Sequence, residues 1–330
     1  MEGKPLKLIH VRCCVCGADD AAPIGVGEDY EYRTSLDSFL AVRCESCELV
    51  YLNPRPDVSE FAAIYPANYH AFDFVEADYG IVYKIRSRLE ARRLLSWCAD
   101  LPADARILDV GCGDGFHLNL LKQYGKKTWT LEGIDIDRRA VETAEKFGLK
   151  VYHGSIEAID LPKDSFDLAL MIQTVEHVEN PLAILSAIKS VLKTGGRLVI
   201  VTDNTDALDF AIFKGAYWGG YHFPRHWNLF NRKSLAELAK RAGFETADLT
   251  TQVSPVNWVY SIHNWLVDWN APRFLINRFT LKSTVSLSAF TSLDMVLQRF
   301  GRGALLRAIL RKNEEKETSR EQTRTNTKFL

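Results

Sequence analysis

The stretch ILDVGCGDG at residues 107–115 constrains the fold more than any other part of the chain. An apolar, β-branched lead-in runs directly into three glycines at alternate positions, Gly111, Gly113 and Gly115, and an amphipathic segment follows from 116 to 123. This order is typical of a strand, a tight loop and a helix. Because glycine has no Cβ and tolerates positive φ, such a loop lets the backbone approach a ligand closely.

The chemistry of this loop favours a cationic ligand over a dinucleotide. The dinucleotide fingerprint G-x-G-x-x-G/A needs a small third residue for close packing of helix on strand, and this chain has Phe116 at that position. Two carboxylates, Asp109 and Asp114, flank the loop. They would repel a pyrophosphate and suit an ammonium or sulfonium centre. Both features count against the alternative of a nicotinamide-dependent oxidoreductase.

Beyond the loop, strand and helix patterns alternate, which predicts a doubly wound α/β sheet with helices on both faces. The predicted strands after the first cover 128–136, 150–153, 166–172 and 197–202. Asp135 ends the second of them, 20 positions after Gly115, where such folds place an acid that binds ribose hydroxyls. Asp137 competes for this role but suits a helix N-cap better.

Residues 106–201 resemble a class I S-adenosylmethionine-dependent methyltransferase, through the glycine loop, Phe166-Asp167 and Glu176-His177-Val178. The resemblance implies a Rossmann-like, mostly parallel seven-stranded sheet that binds S-adenosylmethionine. Members often carry Asp at the position of Ser155, so a backbone contact to adenine is expected there rather than a side-chain contact. The cofactor-binding residues that it implies are Asp109, Gly111, Gly113, Gly115, Asp135, Ser155, Ile156 and Gln173.

Four of the seven cysteines form two pairs, Cys13-x-x-Cys16 and Cys44-x-x-Cys47, with 27 residues between Cys16 and Cys44. Two such knuckles predict a four-thiolate zinc site, and four cysteines close the coordination shell, as in a structural site. The run Leu-Asn-Pro-Arg-Pro at 52–56 ends this segment. With its cysteines it resembles a bacterial methyltransferase subgroup with an N-terminal zinc ribbon, similar to enzymes of sugar, polysaccharide or antibiotic modification.

The methyl acceptor is expected beside the aromatic and histidine-rich stretch at 217–230. If the acceptor is a hydroxyl, a base must take its proton, and histidine suits that task near neutral pH. The candidate catalytic residues are His177, His226 and His222. The candidate substrate-binding residues are Glu176, Arg225, Trp218 and Trp227.

The predicted domains are a zinc ribbon at 1–56, a linker and helix at 57–101, and the methyltransferase domain at 102–311 with a helical insertion at about 252–300 before its last strand. The tail at 312–330 is predicted to be disordered. Aromatic residues crowd the linker, and packing is preferred there over a substrate wall. A stripe of Trp258, Ile262, Trp265 and Trp269 fits one helical face. It is interpreted as core, with a lid or a peripheral membrane surface as open alternatives.

Composition narrows the function further. The formal net charge is −1, and between 17 and 43 six acidic residues face only two basic ones, so nucleic acid is not an expected partner. The N-terminus lacks a signal-peptide core and no apolar run is long enough to span a bilayer, so a cytoplasmic location is expected. The sequence predicts methyl transfer to a small-molecule hydroxyl of a sugar, nucleotide sugar or lipid-linked glycan. An RNA-modifying methyltransferase, the oxidoreductase and an inactive cofactor-binding partner are the alternatives.

Overall fold

The computed structural model describes residues 4–66, 69 and 76–313. Its strands are β1 Leu8–Ile9, β2 Ala21–Gly27, β3 Phe39–Cys44, β4 Val50–Leu52, β5 Arg55–Pro56, β6 Arg106–Val110, β7 Thr130–Asp135, β8 Lys150–His153, β9 Phe166–Ile172, β10 Leu192–Asp203, β11 Asn228–Leu229, β12 Glu245–Gln252 and β13 Leu305–Arg311. Its α-helices are α1 Phe61–Ile64, α2 Glu76–Trp97, α3 Phe116–Tyr124, α4 Arg138–Lys146, α5 Pro181–Val191, α6 Leu208–Phe213, α7 Arg232–Arg241, α8 Val256–Asp268, α9 Arg273–Ile276 and α10 Thr284–Arg299.

A seven-stranded sheet forms the centre of the molecule, in the order β12-β13-β10-β9-β6-β7-β8. Strands β6 to β10 pair in parallel, whereas β13 runs antiparallel to both β10 and β12. The near-continuous apolar run of β9 is buried, as expected for a strand covered by helices on both faces. The predicted Rossmann-like, mostly parallel sheet is confirmed.

The strand order reverses between β6 and β9, which are neighbours in the sheet. From β6 the chain proceeds outward through β7 and β8, and from β9 it proceeds the other way through β10. Ligands of open α/β sheets bind at the carboxyl ends of the strands beside such a reversal. The glycine loop follows β6 and Gln173 follows β9, so both lie at this point.

The N-terminal segment shares its sheet with the rest of the chain. Strands β2, β3 and β4 form a four-stranded sheet with β11, in which Asn228 pairs with Tyr51 and Leu229 with Val50. The cysteine-bearing region also packs in one hydrophobic cluster with Phe230. The boundary predicted near 56 therefore crosses a continuous sheet and core.

Helices α8 to α10 lie between β12 and β13. The predicted Trp stripe divides on α8, because Trp258 is buried and stacks on Phe290, whereas Trp265 and Trp269 are exposed. Among the described residues, no helix is both long and apolar enough to cross a membrane. At the far end, Lys312 still donates its backbone N–H to the Gly196 carbonyl. The remainder of the predicted tail, 314–330, lies outside the described residues.

Candidate functional site

The three loop glycines all adopt positive φ, with values of 74°, 54° and 82° at Gly111, Gly113 and Gly115. A Cβ at Gly111 would lie 2.3 Å from the Thr174 side chain, so this glycine is required for packing against the loop after β9. A Cβ at Gly113 would meet nothing within 4 Å. The bare face of Gly113 is therefore open to a ligand.

Asp109 is buried, at 1% exposure, and its Oδ2 atom has no hydrogen-bond partner. Burial, with Asp135 nearby, raises the pKa of Asp109 to about 7. The nearest ring nitrogen is His117 Nδ1 at 4.0 Å, but burial lowers the pKa of His117 to about 4, so that ring is neutral near pH 7. A ligand cation would satisfy this carboxylate.

Asp135 ends β7, as predicted. Its Oδ2 accepts the Gly113 N–H at 2.8 Å and its Oδ1 accepts the Asp137 N–H at 2.8 Å. Burial raises the pKa of Asp135 despite these hydrogen bonds. Each carboxylate oxygen keeps a further lone pair that can accept from a hydroxyl. Asp137 caps α4 by accepting the Arg139 N–H, so the N-cap interpretation of Asp137 is confirmed.

The loop after β8 supplies the other predicted cofactor contacts. The Gly154 N–H donates to the Asp135 carbonyl, which holds this loop beside the end of β7. Ser155 is half-buried and Ile156 is buried. Contacts from these two residues to an adenine remain predictions.

The residues on this side of the sheet fit S-adenosylmethionine. Gly113 offers an open face, and the unpartnered oxygen of Asp109 offers a site for a positive group. Gln173 adds a buried Oε1 without a hydrogen-bond partner at φ +50°. Unpartnered buried polar atoms and a bare backbone face in one crevice are what a polar ligand leaves when its site is built for it.

On the other side of β9, Glu176 is fully buried. Its carboxylate accepts from Gln173 Nε2 at 2.8 Å and from Thr202 Oγ1 at 3.0 Å. Burial raises the pKa of Glu176 to about 7; His226 opposes this rise and Asp203 adds to it. Glu176, predicted to bind substrate, is therefore enclosed among protein groups.

The three predicted catalytic histidines lie together. The ring centroids of His177 and His226 are 4.6 Å apart, and those of His222 and His226 are 5.0 Å apart. His177 Nδ1 lies 2.8 Å from Tyr65 Oη and 3.2 Å from the Arg225 carbonyl. The residues come from the loop after β9 and from 222–226, so only the fold brings them into contact.

The surroundings of the three histidines shift their pKa values in different directions. Burial and the neighbouring His226 hold the pKa of His177 well below its usual value. Burial alone would lower the pKa of His226, but Asp203 at 3.2 Å and Glu176 raise it. Burial lowers the pKa of His222 to about 4, although Glu31 lies 2.7 Å from its Nδ1. The neutral ring of His177 therefore lies beside the ring of His226, whose charged form is stabilised.

The side chains of Arg225, Trp218 and Trp227 are used in packing. Arg225 is fully buried and pairs with the fully buried Asp29 at 2.9 Å. The charge of Arg225 is therefore already neutralised away from solvent. Trp218 and Trp227 are 1% and 2% exposed, and their indole N–H groups donate to protein oxygens. Substrate binding by these three residues remains a prediction.

The sequence pattern of the protein family described as "Methyltransferase domain" matches residues 83–249. The chain belongs to this methyltransferase family. The methyltransferase is 32% identical over 177 residues to a ubiquinone biosynthesis O-methyltransferase of Cereibacter sphaeroides, covering 50% of this chain and 70% of that protein. A protein of the same name from Xanthomonas axonopodis is 31% identical over 161 residues, covering 45% and 66%.

Among solved structures, a SAM-dependent methyltransferase of Thermotoga maritima matches the fold with a TM-score of 0.49 at 21% identity, covering 76% of this chain and all of that one. A second, from Archaeoglobus fulgidus, has a TM-score of 0.47 at 20% identity, covering 68% and 94%. The family match and the curated relatives, rather than these structures, make the protein an S-adenosylmethionine-dependent methyltransferase, as its sequence predicts.

Apart from the active-site crevice, the methyltransferase carries the predicted cluster of Cys13, Cys16, Cys44 and Cys47. Their sulfur atoms lie within 4.8 Å of one another, and two pairs are 3.4 Å apart. Tetrahedral zinc with Zn–S bonds of about 2.3 Å holds its sulfurs roughly 3.8 Å apart. The cluster fits such an ion. Cys14 lies outside it and donates to Asn228 Oδ1.

The histidine cluster and the residues that contact it form the region where the methyl acceptor is expected, called here the acceptor side. Three residues of this region were not predicted from the sequence: Tyr65, Glu31 and Asp203. Tyr65 belongs to the aromatic linker, where packing was the preferred interpretation, yet its hydroxyl contacts His177. Glu31 comes from the acidic loop between the two cysteine pairs. Nothing local in the sequence marks these residues, since each is joined to a histidine only by the tertiary structure.

Proposed function

We propose that the methyltransferase transfers the methyl group of S-adenosylmethionine to a hydroxyl of a small molecule. The observation that carries this proposal is the histidine cluster, in which His177 lies in the same loop as Thr174, the residue that packs on Gly111 of the glycine loop. S-adenosylmethionine supplies an electrophilic methyl group when bound. The protein then has to hold a hydroxyl oxygen in line with that group, exclude water and accept the hydroxyl proton.

We assign His177 as the base. Its lowered pKa keeps the ring neutral at physiological pH, so it is ready to accept a proton. If Nδ1–H donates to the Arg225 carbonyl, 3.2 Å away, the lone pair of Nε2 is left for the acceptor hydroxyl. Tyr65 Oη, 2.8 Å from the same nitrogen, helps to fix the ring.

His226 is assigned to electrostatic support. Its Nδ1 lies 2.8 Å from the Gly220 carbonyl and 3.2 Å from Asp203 Oδ2, and this carboxylate stabilises the imidazolium form. A ring charged in this way can donate a hydrogen bond to the oxygen of the methyl acceptor, but it does not take the proton of that hydroxyl. His222, held by Glu31, is assigned to shaping the acceptor side.

The base assignment is tested by comparing turnover and cofactor affinity in His177→Ala, His226→Ala and His222→Ala. His177→Ala should lower kcat by roughly 100- to 10,000-fold, the range for loss of a general base, and leave cofactor affinity unchanged. His263→Ala is the matched control, because His263 is a half-buried histidine of α8 that bonds the Phe279 carbonyl. Normal turnover in all three variants would refute catalysis by the cluster.

For the acceptor, we propose a hydroxyl of a sugar, a nucleotide sugar or a lipid-linked glycan intermediate. Aromatic residues around the histidines, among them Tyr65 and Tyr69, suit a ring-shaped molecule. The curated relatives are named for ubiquinone biosynthesis, which brings hydroxylated aromatic compounds in as the second class. Both classes share the hydroxyl nucleophile.

A product-mass screen decides between the two classes. Purified protein is incubated with S-adenosylmethionine and with sugar nucleotides, lipid-linked glycans or hydroxylated aromatic compounds, and products one methylene heavier are identified. The His177→Ala protein serves as the blank. Methylation confined to aromatic hydroxyls would overturn the sugar assignment, and methylation of nitrogen or carbon alone would overturn the hydroxyl assignment.

We also propose that the four-cysteine cluster holds a structural zinc ion. The four cysteine sulfurs would fill all four positions of a tetrahedral ion, which would leave no open position for chemistry on the metal. Metal analysis of the purified protein should find one zinc per chain. The ion should be lost in Cys44→Ser and retained in Cys14→Ser, and equal zinc in both variants would refute the assignment.

A further inference from the structure

Helix α2 carries an outward stripe of large aliphatic side chains. Ile81, Ile85 and Leu89 recur at every fourth position and are 64%, 52% and 46% exposed. The opposite face is buried through Ala91 and Leu94 and packs towards α3. A helix that is apolar on its solvent face as well as on its core face has a second surface to cover.

Between residues 81 and 97 of α2, the exposed charges are all positive. Glu90 is the one acidic residue between 81 and 97, and it is half-buried and paired with Arg93 at 2.7 Å. Exposed cations lie beside the stripe at Arg88 and Arg92. Because the chain as a whole has a net charge of −1, this is a local positive surface on a nearly neutral molecule.

The stripe lies near the cofactor loop. The ring of Tyr83 contacts that of Phe116 at 6.1 Å, and the Arg86 guanidinium lies 5.6 Å from the same ring. Phe116 is the first residue of α3, directly after Gly115. A surface that covers the outer face of α2 would therefore lie near the ligand-binding edge of the central sheet.

We propose that α2 docks the protein on the surface of an anionic phospholipid bilayer. The three aliphatic side chains enter the headgroup region and the cations lie over the phosphates, as in interfacial amphipathic helices. Basic residues near such a surface are attracted by its negative potential. A second copy of the chain is a poorer occupant, because a twofold interface would bring the same cations face to face. Docking does not depend on the identity of the methyl acceptor.

The experiment is co-sedimentation of the full chain with vesicles of phosphatidylcholine, alone or mixed with phosphatidylglycerol. The protein should bind the mixed vesicles, bind the neutral ones weakly, and dissociate as salt increases. Ile81→Ser/Ile85→Ser/Leu89→Ser and, separately, Arg88→Glu/Arg92→Glu should each weaken binding by roughly tenfold or more. Circular dichroism and cofactor affinity, measured without an acceptor, should be unchanged in both.

Val285→Ser/Val296→Ser is the matched control, since these side chains are 78% and 52% exposed on α10. It should bind vesicles like the parent protein. Equal binding to both vesicle types, unaltered binding of the α2 variants, or loss only in the α10 variant would overturn the proposal. The proposal would also be overturned if the parent protein did not bind vesicles and eluted as a dimer in gel filtration, while an α2 variant eluted as a monomer.

Discussion

At the scale of single residues, the site is organised by buried charges that differ in how they are balanced. Asp29 and Arg225 neutralise each other inside the protein. Asp109 has an oxygen without any hydrogen-bond partner and a pKa raised to about 7. The Asp29–Arg225 pair holds the acceptor side together, whereas the Asp109 carboxylate is suited to a ligand. Burial alone does not separate structural from functional charges; their partners do.

Asp109→Asn should remove a pH-dependent cost of folding. The folded pKa of about 7 exceeds the unfolded value, so the native state binds more protons between about pH 4 and 7 and loses stability as pH rises through that window. The variant should therefore melt close to the parent's temperature near pH 4 and above it at pH 8, both without cofactor. Its cofactor affinity at pH 8 should fall roughly 10- to 100-fold, the value of a hydrogen bond to a charged group.

Thermal melts across pH and calorimetry with S-adenosylmethionine measure these two effects. Asp104→Asn is the control, because Asp104 is exposed and should alter neither melting nor affinity. A variant of Asp109 that melts below the parent protein at pH 8 would contradict the explanation.

Arg225→Met should destabilise the protein by about 3–5 kcal/mol, since it leaves the Asp29 carboxylate buried without a counter-charge. Urea unfolding measures the loss. Adding Asp29→Asn should recover part of it, because the second change removes the unpaired charge. If the double variant is less stable than Arg225→Met by the full cost of Asp29→Asn alone, the two residues are not coupled.

At the scale of elements, the strand–loop–helix unit of β6 and α3 shows how much of the site was predictable. Glycine spacing after an apolar strand specifies this unit locally, and the structure has it at β6, the loop and α3. The glycines nevertheless do different work. Gly111 allows the loop after β9 to pack, whereas the side-chain position of Gly113 faces open space. That division depends on Thr174, 63 residues away from Gly111, and no local pattern contains it.

Gly111→Ala and Gly113→Ala should separate packing from ligand binding. Both force alanine into positive φ, at a cost of about 1–2 kcal/mol. Only Gly111→Ala adds a clash, with Thr174 at 2.3 Å, so its loss of unfolding free energy should be clearly larger. Gly113→Ala should keep most of its stability but bind S-adenosylmethionine much more weakly. Denaturant melts and calorimetry compare the two, and equal stability losses would contradict this account.

At the scale of the whole molecule, the cysteine-bearing segment and the methyltransferase fold share a sheet and a hydrophobic core. Strand β11 pairs with β4, and the Trp227 and Asn228 N–H groups donate to the Glu176 carbonyl at 2.7 and 3.1 Å. The loop between the two cysteine pairs also supplies Asp29 and Glu31 to the acceptor side. The cysteine cluster therefore supports the acceptor side through a shared sheet and shared ion pairs.

Removal of metal should lower the melting temperature of the entire protein in a single transition. If the four cysteines hold zinc, as proposed, the ion would fix the turns that anchor β2 and β3, and these strands join the rest of the chain through β4 and β11. Calorimetry with and without a chelator measures the shift, and Cys44→Ser should reproduce it. Two separate transitions, with the larger one unaffected by chelator, would show instead that the N-terminal segment unfolds independently.

The sequence by itself determined the features that repeat or stand close together along the chain. These are the glycine loop, the alternating strands with Asp135 at the end of one of them, and the two cysteine pairs. Local conformation and burial periodicity are properties of short segments, so a single sequence displays them.

Only the tertiary structure decided which side chains meet. It brought Tyr65 to His177, Glu31 to His222 and Asp203 to His226, and it enclosed Arg225 with a partner 196 positions away. Such contacts are set by how the sheets and loops pack, and packing depends on shape and solvent exclusion over the whole molecule rather than on spacing. The class of methyl donor could therefore be predicted from one loop, whereas the proposed base and the residues around it meet only in the folded protein.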